Sequence, residues 1–168
     1  MKEIQERLAD IELIIFDVDG VLTDGSLIVD SEGREALRFD VQDGYGMFRG
    51  YRAGLSYAII TGRNSEVVKH RASELRIERV YLGQKIKITA FEDLVSESGI
   101  DPLSMAYVGD DLNDIQVMGQ VGVSCAVANA RAEVKEIADV VTIAKGGYGA
   151  VREFLEMIIT ARGGVPTP

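Results

Sequence analysis

Five aspartates lie in two short segments of the sequence, and each segment follows an apolar run. They are Asp17, Asp19, Asp110, Asp111 and Asp114. If they meet in one site, a cation is required, because two carboxylates about 4 Å apart repel by roughly 4 kcal/mol at an effective dielectric constant near 20. The set offers only oxygen ligands, with no His or Cys beside it. This favours a hard ion, and Mg2+ fits best.

The five carboxylates have different predicted roles in such a site. We expect the side chains of Asp17 and Asp110, with the backbone carbonyl of Asp19, to bind Mg2+ directly. Asp111 and Asp114 are expected to orient these ligands or the waters around the ion.

Polar residues also follow two further apolar runs. Thr61-Gly62-Arg63 comes directly after residues 58–60, and Lys87 stands at the start of a predicted helix that follows residues 80–82. Taken alone, Thr61-Gly62 could be only a helix-entry turn, and Lys87 could be a solvated side chain. The four patterns together, each placed after an apolar run, favour a common site.

The two acidic segments also have simpler interpretations when each is taken alone. Residues 17–20 could form a turn or part of a calcium loop, but that loop needs further ligands and a closing Glu, whereas apolar Val21 and Leu22 follow here. Residues 109–111 could be a strand-to-helix turn in which an Asp caps the helix.

The elements that position these groups follow from the alternation of short apolar runs with segments of helical periodicity. The runs predict strands at residues 13–16, 57–60, 80–82, 106–108, 121–127 and 140–142. Helices are predicted at residues 44–53, 65–75, 87–98, 112–118, 132–137 and 150–159. Near-continuous apolar strands separated by helices indicate a parallel sheet with helices on both faces. We therefore predict a doubly wound, Rossmann-like α/β fold, which binds ligands beyond the carboxyl ends of its strands.

One segment interrupts this alternation. Residues 26–29 and 35–39 flank a turn-rich stretch that contains Gly33, and this pattern predicts a small β-hairpin inserted after the first strand. The sequence contains no interdomain linker, so we predict a single domain over residues 1–168, with a tail at residues 160–168.

Composition argues against several classes of function. The net charge is −9 and there is no long basic run, so no nucleic-acid partner is expected. No apolar run approaches the roughly 18 residues that a membrane span needs, and the N-terminus lacks the apolar centre of a secretory signal. The single cysteine, Cys125, can form no internal disulfide, so a cytoplasmic location is expected.

The four patterns resemble the motifs of the haloacid dehalogenase superfamily, and they occur in the same order. They are Asp17-x-Asp19, Thr61, Lys87 and Gly109-Asp110-Asp111-x-x-Asp114. Within that superfamily, the chain is most similar to the small capless phosphatases of 3-deoxy-D-manno-octulosonate 8-phosphate (KDO 8-phosphate). The segments that carry this closer similarity are residues 17–25, 39–46, 59–63, 108–112 and 146–153.

The resemblance implies a Mg2+-dependent phosphatase that cleaves a sugar-acid phosphate through an aspartyl-phosphate intermediate. Its implied substrate is KDO 8-phosphate, from KDO and lipopolysaccharide biosynthesis. In the chemistry of this superfamily, Asp17 is the nucleophile, and Asp19 protonates the leaving group and then activates water. Thr61 and Lys87 hold the phosphoryl oxygens.

The resemblance also implies positions for substrate binding. Besides Asp19 and Lys87, they are Asp40, Val41, Gln42, Asp43, Gly44, Arg63 and Arg71. Arg63 suits a sugar carboxylate, because a guanidinium pairs with a carboxylate bidentately, but it could equally be a solvated residue at a helix start.

Larger members of the superfamily cover the site with a cap domain, for which this sequence has no room. In similar proteins the subunits form a homotetramer whose hairpins and C-terminal segments close neighbouring sites. The hairpin at residues 26–39 is therefore a candidate element for self-association, although it could also be a surface ornament.

Tyr148 departs from the pattern of the relatives, which often have Arg at this position, and Asn113 also varies among them. Because Tyr supplies no positive charge, the choice of KDO 8-phosphate stays open, and N-acylneuraminate or KDN 9-phosphate is the alternative substrate. From a different class, the chain could be a non-catalytic assembly domain of the same fold. The presence of every residue that the chemistry needs argues against that.

Overall fold

A six-stranded parallel sheet lies at the centre of the structure, a computed structural model that describes residues 3–164. The strands of the chain are β1 (Leu13–Phe16), β2 (Ile28–Val29), β3 (Glu35–Ala36), β4 (Ser56–Ile60), β5 (Arg79–Tyr81), β6 (Met105–Gly109), β7 (Val123–Ala126) and β8 (Val140–Val141). The sheet has the order β5-β4-β1-β6-β7-β8, and every neighbouring pair is parallel. The strand order thus extends from β1 in both directions, as in a doubly wound fold.

The central strands explain why the apolar runs of the sequence are nearly continuous. Every residue of β1 and β6 is buried, and β4 is buried from Tyr57 onward. Both faces of these strands are covered, so neither face needs polar side chains.

Seven helices surround the sheet in the described part of the chain. They are α1 (Ile4–Ala9), α2 (Val41–Arg52), α3 (Glu66–Glu74), α4 (Lys87–Ser98), α5 (Ile115–Met118), α6 (Ala132–Ile137) and α7 (Ala150–Ala161). Helix α7 packs against α1 and α2 and buries residues at helical spacing, among them Val151, Phe154 and Ile158. None of the helices within residues 3–164 has the length and apolar character that crossing a membrane would require.

The predicted fold class is confirmed, but several element boundaries differ. Helix α2 begins at Val41 rather than at residue 44, because the Asp40 carboxylate caps it by accepting a hydrogen bond from the backbone N–H of Gln42 at 2.6 Å. The helix predicted at residues 112–118 is divided into a 3-10 turn, Leu112–Asp114, and the short α5. The strand predicted at residues 121–127 is limited to β7.

The predicted hairpin is formed by β2 and β3, which pair antiparallel to each other and lie outside the main sheet. In its turn, the Asp30 carboxylate accepts hydrogen bonds from the backbone N–H groups of Glu32 and Arg34, both at 2.9 Å. Within the described residues, the hairpin and α2 are the elements between the turn that follows β1 and the start of β4, so no cap domain is present there. Of the predicted tail at residues 160–168, α7 includes the first two residues, and residues 165–168 lie outside the described part.

Candidate active site

A cleft of about 580 Å3 opens at the carboxyl ends of β1, β4 and β6. These three strands are neighbours, so the residues that follow them are brought together. The lining of the cleft includes the predicted site residues Asp17, Asp19, Thr61, Arg63, Asp110 and Asp111. Three segments that are more than 40 residues apart in sequence therefore form one site.

Lys87, the first residue of α4, lies beneath this cleft between two carboxylates. Its side-chain nitrogen is 2.7 Å from Asp17 Oδ2 and 2.7 Å from Asp114 Oδ1, and the residue is only 2% exposed. Burial alone would lower the pKa of Lys87, but the charges of Asp17 and Asp114 outweigh this effect and raise it. Lys87 is thus a buried, charged residue and not a solvated surface lysine.

Asp114 is fully buried and uses both of its carboxylate oxygens within the protein. Oδ1 accepts hydrogen bonds from the Lys87 ammonium and the Tyr107 hydroxyl, both at 2.7 Å. Oδ2 accepts from the backbone N–H groups of Asp110 at 2.9 Å and Asp111 at 3.2 Å. Asp114 therefore fixes the turn that carries Asp110, and it does not line the cleft itself.

Each oxygen of the Asp17 carboxylate has one partner, the backbone of the next residue or Lys87. Oδ1 accepts a hydrogen bond from the backbone N–H of Val18 at 2.6 Å, while Oδ2 faces the Lys87 ammonium. Gly20 in the next turn has φ of 80°, and a Cβ on this residue would collide with the Asp110 carboxylate. The glycine therefore allows the turn after β1 to approach the turn after β6 closely.

The carboxylates of this site fit a divalent cation. Asp17, Asp110 and Asp114 each offer an oxygen, and these oxygens all lie within 4.8 Å of one another. Burial, reinforced by the charges of neighbouring aspartates, raises the pKa of Asp17 to about 6 and that of Asp110 to about 7. A bound cation would favour the charged forms instead. Each oxygen of Asp114 already has two partners and Asp114 does not line the cleft, whereas each oxygen of Asp17 has one partner. Asp17 and Asp110, which both line the cleft, are therefore the side chains suited to bind an ion.

Arg63 lines the cleft and pairs with two carboxylates. Its Nε lies 2.9 and 2.8 Å from the two oxygens of Asp19, and its Nη1 lies 3.0 Å from Glu35 Oε2. The other oxygen of Glu35 accepts a hydrogen bond from the Ser65 hydroxyl. No local pattern of residues indicates Glu35, because Glu35 reaches Arg63 only through the folding of the hairpin.

The remaining predicted substrate residues do not line this cleft. Asp40, Val41, Gln42, Asp43 and Gly44 lie at the start of α2. Val41 is 82% exposed, whereas Asp43 is buried and accepts a hydrogen bond from the backbone N–H of Arg152 at 2.7 Å. Arg71 lies beside this segment, with Nη2 3.5 Å from the carbonyl oxygen of Asp40. Their contact with substrate stays a prediction.

Tyr148 has a cationic neighbour. The Arg38 guanidinium lies over the Tyr148 ring, 4.3 Å from its centroid, and donates a hydrogen bond to the carbonyl of Gly147 at 2.8 Å. The positive charge that Tyr148 itself lacks is therefore present beside it, on a residue that follows β3. Asn113 lines the main cleft.

The strand-end aspartates, the buried lysine and the parallel sheet define a haloacid dehalogenase-like hydrolase, and the family model of that description matches residues 82–155. A 3-deoxy-D-manno-octulosonate 8-phosphate phosphatase (KdsC) of Escherichia coli (strain K12) is 44% identical over 157 residues, which are 94% of this chain and 84% of that protein. The chain belongs to the family of these phosphatases.

Solved structures agree with this assignment. The crystal structure of the phosphatase of that name from Yersinia pestis has a TM-score of 0.94 and 42% identity, covering 96% of this chain and 87% of the other. The phosphatase from Moraxella catarrhalis, in complex with magnesium ion, phosphate ion and KDO, has a TM-score of 0.93 and 41% identity, covering 97% of this chain and 94% of the other.

Proposed function

We propose that the protein is a Mg2+-dependent phosphatase that hydrolyses KDO 8-phosphate to KDO and phosphate. The observation that carries this proposal is the Asp17 carboxylate, which lines the cleft, pairs with Lys87 and lies close to Asp110. The family of the chain and the magnesium, phosphate and KDO in the Moraxella catarrhalis structure support the same reaction.

Asp17 is proposed to attack the phosphorus atom in line. The bond from phosphorus to the sugar oxygen breaks, an aspartyl phosphate forms, and Asp19 gives a proton to the departing sugar alkoxide. Asp19 then takes a proton from a water molecule, which attacks the aspartyl phosphate, releases phosphate and restores Asp17. Thr61 and Lys87 hold the phosphoryl oxygens throughout.

The Mg2+ would be held by the side chains of Asp17 and Asp110 and by the backbone carbonyl of Asp19. It would supply positive charge beside the transferring phosphoryl group. Lys87 neutralises part of the charge of Asp17 and Asp114, but Asp110 lies outside its hydrogen bonds, so the acidic site still needs a cation.

Arg63 is proposed to bind the carboxylate of the sugar acid. It lines the same cleft as Asp17, and guanidinium and carboxylate pair through two parallel hydrogen bonds. Since Arg63 holds Asp19 in this structure, substrate binding requires Arg63 to exchange one carboxylate partner for another.

We further propose that the protein is a cytoplasmic homotetramer. Three consecutive apolar residues of the hairpin, Leu27, Ile28 and Val29, are 49%, 62% and 55% exposed. Burial against another subunit would remove this apolar surface from water. Residues 40–44, which do not line the cleft of their own chain, could then reach a neighbouring cleft. The single cysteine, Cys125, is buried and unpaired, which is compatible with a reducing compartment.

A panel of sugar phosphates tests the proposed reaction. KDO 8-phosphate is expected to give the highest kcat/KM, above N-acylneuraminate 9-phosphate, KDN 9-phosphate and ribose 5-phosphate. Activity should disappear when a chelator removes the metal and return when Mg2+ is added. Activity that is insensitive to the chelator would contradict the metal site, and a preference for a nine-carbon acid would contradict the substrate.

A further inference from the structure

Two residues that line the cleft, Asp19 and Arg63, belong to a continuous series of polar contacts that extends to Glu35 and Ser65 behind them. Asp19 pairs with Arg63, Arg63 pairs with Glu35, and Glu35 accepts a hydrogen bond from Ser65. The four residues come from three places: the turn after β1, the hairpin strand β3, and the loop between β4 and α3. Glu35 and Ser65 have no part in the reaction proposed above, and Glu35 is the one of the two that contacts Arg63.

We propose that Glu35 is a positioning residue, which keeps Arg63 at the cleft while Arg63 exchanges the Asp19 carboxylate for the carboxylate of the substrate. This inference rests on the proposed function, since it assumes a substrate that carries a carboxylate. It assigns a role in substrate recognition to the hairpin of the same chain.

The geometry of Arg63 allows such an exchange. Asp19 binds only Nε, and Glu35 binds only Nη1, so either carboxylate can leave without disturbing the other. None of the hydrogen bonds described for residues 3–164 uses Nη2, and Arg63 lines the cleft. A planar guanidinium with five N–H donors can therefore keep Glu35 on one side and accept a new carboxylate on the other.

The Glu35 carboxylate is itself anchored, and the anchor uses a group that would otherwise cap a helix. Ser65 occupies the N-cap position of α3, where a serine hydroxyl usually accepts a hydrogen bond from a backbone N–H in the first turn. Here the buried hydroxyl makes no such bond and instead donates to Glu35. The Ser65 hydroxyl therefore holds Glu35 beside Arg63 instead of capping α3.

Glu35 also changes the strength with which Arg63 holds Asp19. With two carboxylates on one guanidinium, the positive charge of Arg63 is shared between them. Without the charge of Glu35, Asp19 is the carboxylate that remains paired with Arg63, and substrate must compete against this single, stronger pair. The loss of Glu35 should therefore weaken binding of a carboxylate substrate more than it slows the chemical step.

Glu35→Gln tests this role. The amide can still accept from Ser65, but its NH2 group then faces the Arg63 donor. Glu32→Gln is the matched control, because Glu32 lies in the same hairpin, is exposed and pairs with Arg34. For Glu35→Gln we expect KM for KDO 8-phosphate to rise about tenfold, the effect of one charge-assisted hydrogen bond, with kcat changed less than about twofold.

The ratio of kcat/KM for KDO 8-phosphate to that for ribose 5-phosphate, which has no carboxylate, should fall about tenfold in Glu35→Gln and stay constant in Glu32→Gln. In an Arg63→Ala background, Glu35→Gln should lower this ratio no further, because the two residues act together. Ser65→Ala should lower it by a smaller factor, about two- to threefold, since Arg63 keeps its partner but Glu35 loses its anchor.

Three results would overturn the inference. The first is an unchanged ratio in Glu35→Gln, and the second is an equal loss on both substrates, which would assign Glu35 to the phosphate site or to folding. The third is a further tenfold loss in the Arg63→Ala background. Failure of the proposed function is recognised separately: the unsubstituted enzyme would then not prefer KDO 8-phosphate, and the inference would fall with it.

Discussion

The site depends on the contrast between Asp17 and Asp114. Both carboxylates contact Lys87. The oxygens of Asp114 accept four hydrogen bonds within the protein, whereas Asp17 lines the cleft. Lys87 keeps its proton, because the charges of Asp17 and Asp114 outweigh the effect of burial and raise its pKa. The two aspartates therefore differ in role through their surroundings and not through their chemistry.

Asp17→Asn is expected to abolish turnover while the fold persists. The amide is not a nucleophile for phosphorus, and Lys87 keeps Asp114 as a charged partner. We expect kcat to fall at least about 1000-fold with saturating Mg2+, measured by phosphate release, with a near-wild-type circular dichroism spectrum. Asp111→Asn is the control, since Asp111 lines the same cleft but lies farther from Lys87; its loss should be much smaller. Near-wild-type activity of Asp17→Asn would contradict the role of nucleophile.

The residues at strand ends could be predicted from sequence, and the residues that support them could not. Asp17, Thr61 and Asp110 come directly after buried strands, so the local pattern of an apolar run and a polar residue places them at one edge of the sheet. Glu35 and Asp43 have no such pattern. Their surroundings depend on how the hairpin and α2 pack against distant segments, which no local rule describes.

The junction between α2 and α7 contains a buried carboxylate, that of Asp43. Helix α7 begins after Gly149, whose φ of 90° suits glycine and which offers no side chain as a cap. Asp43 of α2 caps the helix instead, because its Oδ1 accepts a hydrogen bond from the backbone N–H of Arg152. Its Oδ2 is buried without a hydrogen-bond partner among the described residues. The helix terminus favours the charged carboxylate, but burial opposes it.

This junction predicts a dependence of stability on pH. Burial raises the pKa of Asp43 from 3.8 to about 6 in the folded protein. The folded state therefore binds more protons than the unfolded state between about pH 4 and pH 6, and the contribution of Asp43 to stability falls as the pH rises through this window. Asp43→Asn cannot titrate. Its free energy of unfolding relative to wild type should rise by up to about 3 kcal/mol from pH 4 to pH 7.

Urea unfolding at several pH values, with a chelator present in every sample, measures this difference. Asp17 and Asp110 also titrate in this range, but both proteins contain them. Their contributions therefore cancel in the difference between the two free energies of unfolding. The difference should level off above about pH 7, where Asp43 is ionised in both states. A difference that is constant from pH 4 to pH 7 would show that Asp43 does not titrate in this range.

The hairpin connects the candidate active site with the surface of the molecule. Its strand β3 carries Glu35 to Arg63, while β2 exposes apolar side chains to solvent. A two-stranded hairpin of this length is marginal without further packing. A subunit contact that covers β2 would stabilise the hairpin and, through Glu35, the wall of the cleft.

Ile28→Glu should therefore reduce both assembly and substrate binding. In sedimentation velocity, the wild-type protein is expected at four times the 18.3 kDa mass of the chain, and the variant at a smaller mass, because a buried and unpaired carboxylate opposes association. KM for KDO 8-phosphate should rise with dissociation, since a dissociated hairpin holds Glu35 less firmly. Leu103→Glu is the matched control: Leu103 is 69% exposed but lies just before β6, at the amino ends of the strands, whereas the hairpin follows the carboxyl end of β1. A fully active, monodisperse monomer of the wild-type chain would contradict this coupling, because the site would then be complete without a partner subunit.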